Sequence, residues 1–235
     1  MDRRSFIERV GGIAFAGSGI VSAQQGNGHY RNPRVTAPLI QQWEVEARET
    51  NRTPFRPQGV DLGDAFTTTL LYKDTRLTET LAERLRREFN GIVGALIVTR
   101  VTFESPLSTF AQPALVAEFA KQEFERTARR HGFSELHERH SAERETTREQ
   151  ATAEYDGYYS IGRYTDTPTP EAARFPGIQR GNRVKTVLYF DVSRSEQSLL
   201  IATGIRPTDE LLQAVLNRDS DAYRQELLQL MHSVR

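Results

Sequence analysis

The chain has 235 residues, with 31 basic and 31 acidic side chains and no cysteine. That balance argues against bulk electrostatic binding to nucleic acid or to anionic lipid. The missing cysteines exclude disulfides, thiolate metal sites and cysteine nucleophiles.

The first residues form a targeting leader. Arg3 and Arg4 make a basic head, Phe6 follows, residues 10–21 are small and mostly apolar, and Ala23 is a small exit residue. The paired arginines and Phe6 resemble a twin-arginine export signal. The expectation is recognition by the twin-arginine export machinery, cleavage before Gln24 and an extracytoplasmic location. The apolar run is shorter than the roughly 20 residues that span a bilayer. Membrane contact is therefore expected only through an uncleaved leader. Losing residues 1–23 removes Arg3, Arg4 and Arg9 together with Asp2 and Glu8, which leaves 28 basic and 29 acidic groups. The expected organisation is a signal peptide over 1–23, a flexible linker over 24–39, and a single domain over 40–235.

Residues 24–38 are polar and rich in Gly, Asn and Pro, and order is expected to begin near Ile40 and Trp43. Trp43, Val45 and Ala47 alternate with charged residues, the period of a half-buried strand. Residues 51–63 read as a loop through Pro54, Pro57, Gly59 and Gly63, and 66–72 as a second strand. Leu77, Leu81, Leu85 and Phe89 recur every four residues and predict an amphipathic helix stopped at Asn90-Gly91. Residues 95–103 are a β-branched run and predict a central strand buried on both faces. Pro113 opens a second long helix carrying Val116, Phe119, Phe124 and Ala128 and ending at Gly132.

Residues 137–154 hold almost no large apolar side chain. Two solvent-facing strands joined near 145–148 explain them, with an exposed polar helix as the rival; the β composition of 155–164 favours strands. A long loop over 165–182 follows. Residues 184–192 and 199–205 predict a hairpin, ended by Pro207. Two terminal helices are expected, capped by Thr208 or Asp209 and by Asp219 or Ser220. Because strands cluster and hairpin instead of alternating with helices, the fold class is α+β, with a largely antiparallel sheet covered by helices.

The leader, the Leu77 helix leading into 95–103, and the hairpin ending in Ile205-Arg206-Pro207 before the terminal helices resemble a secreted family of halophilic archaea with no assigned function. The arrangement is also similar to the α-β-α sandwich of PsbP-like extracytoplasmic proteins. The resemblance implies an antiparallel sheet between helices over about 43–234. The chain departs from the halophile pattern in having no lipid-carrying cysteine and no acidic excess. Neither resemblance carries over a catalytic residue.

Little in the sequence points to catalysis. His137 and His140 lie near His131, Glu135, Glu138 and Glu143. On a helix the two histidines would share a face; on a strand, three positions apart, they diverge, so no metal site is assigned. No nucleophile elbow or phosphate loop is present, no catalytic residue is assigned and no cofactor is implied. The segment 174–183 places Arg174, Arg180 and Arg183 beside Phe175, with Tyr158 and Tyr159 upstream. Guanidinium forks suit carboxylate or phosphate, and the tyrosines offer stacking surface. These five residues are the candidate binding set. The expected function is a non-enzymatic envelope domain that binds a protein or a small anionic ligand. The alternatives are a secreted hydrolase with a carboxylate-based site and a structural subunit of an envelope complex.

Overall fold

The computed structural model describes residues 30–54, 63–85, 94–104, 120–121, 124–125, 133–144, 150–160, 178–179, 183–195 and 198–235. The leader with Arg3, Arg4, Phe6 and Ala23, the helix stop at Asn90-Gly91, most of 113–132, and Arg174 and Arg180 lie outside them.

The strands are β1 (Glu44–Pro54), β2 (Asp64–Lys73), β3 (Ala95–Phe103), β4 (Phe133–Arg144), β5 (Gln150–Ser160), β6 (Ile178–Gln179), β7 (Arg183–Ser195) and β8 (Ser198–Pro207). The helices are α1 (Thr75–Leu85), α2 (Asp209–Leu216) and α3 (Ser220–His232), with a short 3-10 turn at Pro38–Gln42. Seven strands follow the order β1-β2-β3-β8-β7-β5-β4, and β6 pairs with β7. Every pairing is antiparallel. The protein is thus an α+β fold built on one antiparallel sheet.

β3 has the limits its β-branched run predicts, and it is largely buried because β2 and β8 flank it. Residues 137–144 and 150–154 form strands, not a helix, pairing as β4 and β5. The hairpin β7–β8 runs on to Ser195 and Ser198, past the expected strand ends. Gly204 of β8 faces α3 so closely that a Cβ there would lie 2.8 Å from Leu227 Cγ and from Met231 Sδ. Alternation turns Phe190 of β7 to the other side, where Phe124 stacks on it at 5.0 Å between centroids. Leu77, Leu81, Leu96, Val98, Leu211, Leu212, Leu227 and Leu230 are fully buried. Each such burial contributes about 1.5–3 kcal/mol.

Three sequence expectations need correction. Residues 51–54 belong to β1, because Thr50 to Pro54 pair in register with Thr68 to Asp64 at a sheet edge that tolerates the terminal proline. Trp43 ends the 3-10 turn before β1 and is buried, Val45 within β1 is 50% exposed, and a bulge between Val45 and Ala47 interrupts the alternation further on. Finally, the segment before Leu39 is partly built into the fold. Arg34 and Arg235 exchange backbone hydrogen bonds of 2.8 and 2.7 Å, Val35 bridges Val234, and Ala37 is buried.

Candidate functional site

The last residue before α1 is Asp74. Its Oδ1 accepts from Leu77 N at 3.1 Å, which caps the helix. Its Oδ2 accepts from Tyr223 Oη of α3 at 2.9 Å. Gly94 allows this approach, since a Cβ there would sit 2.7 Å from both Leu77 Cδ2 and Tyr223 Oη. Trp43 packs beside Tyr223 with centroids 6.5 Å apart. Glu226, one turn along α3 from Tyr223, pairs with Arg218, whose guanidinium lies 5.5 Å from the Tyr223 ring centroid.

These groups border a cavity of about 290 Å³ lined by Gln42, Trp43, Asp74, Arg76 and Glu226. That is close to the lower end of small-molecule sites, about 300 Å³. Burial pushes the Tyr223 hydroxyl well above its ordinary pKa, and Asp74 and Glu226 push in the same direction against Arg218. The phenol therefore stays protonated and keeps donating to Asp74. Arg76 is exposed and has no acidic partner among the described residues. The cavity thus offers an indole wall, an amide, two carboxylates already engaged by neighbours, and a cation at its rim.

A second polar surface lies on the β4–β5 hairpin. Glu154, Asp156 and Tyr158 occupy alternate positions of β5 and face one side. Arg139 pairs with Glu154 and Asp156, and Arg224 of α3 reaches Glu154 at 3.7 Å. Arg183 lies over the Tyr158 ring at 4.4 Å and donates to Glu135 Oε1 at 2.8 Å and Ser134 Oγ at 3.1 Å. Two members of the candidate binding set, Arg183 and Tyr158, are therefore brought together. Tyr159 is not with them: it points to the opposite side of β5, is buried, and packs on Phe133 at 5.0 Å. Arg183 is also already engaged by a carboxylate, which lowers its value as an anion clasp.

Sequence reasoning missed Asp74, Arg76 and Glu226. Asp74 carries the one local signal, an aspartate just before the Leu77 periodicity, which is a helix start. Nothing local announces that a helix about 150 residues later returns to it.

Among the described residues no group of three His, Asp or Glu side chains is placed to hold a metal ion. Among them, too, no helix is long and apolar enough to cross a membrane. No curated protein and no solved structure matches the chain. Residues 41–235 match a domain of unknown function, DUF6517, which spans β1 to β8 and the helices α1, α2 and α3, and the chain belongs to that family.

Proposed function

We propose that this protein is an exported extracytoplasmic domain that binds a small polar ligand bearing an anionic group in the Trp43 cavity, without turning it over. The observation that carries this reading is the state of the two carboxylates lining the cavity. Asp74 holds the α1 amide and the Tyr223 hydroxyl, and Glu226 holds Arg218. A carboxylate hydrolase needs one free base and one free acid, whereas here both groups organise the walls. Arg76 at the rim supplies the charge that an anionic group would meet. Export rests on the Arg3-Arg4 head and Phe6. We extend the fold to an α-β-α sandwich, supported by α3 against Gly204 on one side of the sheet and Phe124 against Phe190 on the other.

Trp43 is the single tryptophan of the chain, so its fluorescence reports on the cavity wall directly. Protein purified under native conditions from its host is compared with the same protein unfolded, dialysed and refolded. The reading predicts different emission before and after stripping, with the difference abolished in Arg76→Glu. Identical spectra from two fully folded samples would contradict it. Hydrolysis of a chromogenic ester or glycoside that is lost in both Asp74→Asn and Glu226→Gln would favour the hydrolase instead.

A further inference from the structure

We propose that Arg31, Arg34 and Arg100 form a second binding site, specific for a phosphate- or sulfate-type oxyanion, at the end of α3 remote from the Trp43 cavity. Arg100 lies on β3 between Thr68 of β2 and Leu200 of β8. Its Nε is buried and has no hydrogen-bond partner. The chain from Tyr30 passes over this region. The Tyr30 ring meets Phe66 edge-on at 5.3 Å, and Phe66 shares its side of β2 with Thr68, directly opposite Arg100. Four residues on, Arg34 is tied to Arg235 just beyond α3. This strap carries Arg31 and Arg34 past Arg100.

The charges of Arg31 and Arg34 act on Arg100. Burial lowers the pKa of Arg100, and the charges of Arg31 and Arg34 lower it further. Other arginines nearby are accounted for. Arg52 is held by Asp64, and Arg235 Nη1 donates to the Val234 and His232 carbonyls at 3.0 and 3.4 Å. Among the described residues no carboxylate side chain pairs with Arg31, Arg34 or Arg100. Gathered like charges with a dry, unpartnered N–H destabilise a fold unless something neutralises them. Guanidinium groups match a tetrahedral oxyanion, which accepts several charged hydrogen bonds at once. The anion arrives either free or as the headgroup of an envelope lipid.

The full chain at low ionic strength is titrated with inorganic phosphate by calorimetry, and separately sedimented with phosphatidylglycerol vesicles. The same is done for the double variant Arg31→Gln, Arg34→Gln, whose altered side chains are exposed and leave the backbone ties of the strap intact. The proposal predicts saturable binding in at least one arm, weakened about tenfold or more in the variant, the scale of losing charged hydrogen bonds. Binding of phosphate identifies a free anion, and binding of vesicles alone identifies a headgroup. Without any anion the variant should melt at the same temperature as the parent or higher, because repulsion on Arg100 is relieved. Absent binding in both arms, or binding unchanged in the variant, would overturn the proposal. So would a lower melting temperature without anion, which would assign the strap arginines a structural role.

Discussion

A single phenol joins the start of α1 to α3: Tyr223 Oη donates to Asp74 Oδ2 across 149 positions of sequence. Replacing Tyr223 by Phe leaves a buried carboxylate short of one donor, which costs about 1–3 kcal/mol. The urea midpoint at pH 7 should fall accordingly. The same group sets a pH dependence. Burial, then Asp74 and Glu226, raise its pKa in the fold above the ordinary value of 10.0. The folded state therefore holds the proton longer than the unfolded state does. Stability is fully present below pH 10 and is lost as pH rises through the folded pKa. Tyr72 and Tyr189 are raised in the same direction, mainly by burial. Denaturation curves from pH 9 upward should steepen their decline in the parent and decline less in Tyr223→Phe. Equal slopes would mean that Tyr223 is more solvated than its buried position indicates.

At the scale of elements, α3 rests on β8 where Gly204 leaves room for Leu227 and Met231. Gly204→Ala should push the helix off the sheet and cost about 1–3 kcal/mol, as overpacked cores do. Thermal melting checks this; an unchanged midpoint would show that the helix shifts freely. The apolar rhythm that makes β3, β7, β8 and α3 was legible because each buries a face through its own sequence period. β1 was less legible. Its bulge at Val45–Ala47 interrupts the period, and Pro54 reads as a loop residue although a strand end accommodates it. The strap over 30–37 was illegible for another reason. It has almost no apolar period and is held by backbone bonds to residues 233–235, which no local pattern announces. Of the site, Arg183 with Tyr158 could be read from nearness along neighbouring strands, but the alternation that sends Tyr159 into the core separates it from them.

At the scale of the whole molecule, the cavity is assembled from 42–43, 74–76 and 226, so it exists only when the C-terminal helix has docked. The chain's early and late segments close on each other at Val35–Val234, at Asp74–Tyr223 and at Arg84–Ala214. With no cysteine to staple it, packing and these long-range ties hold the fold. Such non-local closure favours slow, cooperative folding. The proposed export by a route for already folded cargo would suit a domain of this kind. Native mass spectrometry of protein recovered from the host's envelope and medium tests the account most directly. The account predicts the mass of residues 24–235 plus a fixed excess larger than any phosphate or sulfate held by Arg31, Arg34 and Arg100, with that larger part lost in Arg76→Glu and the processed chain unchanged. The bare processed mass in the parent, or an excess that is identical in Arg76→Glu, would contradict a ligand held in the Trp43 cavity.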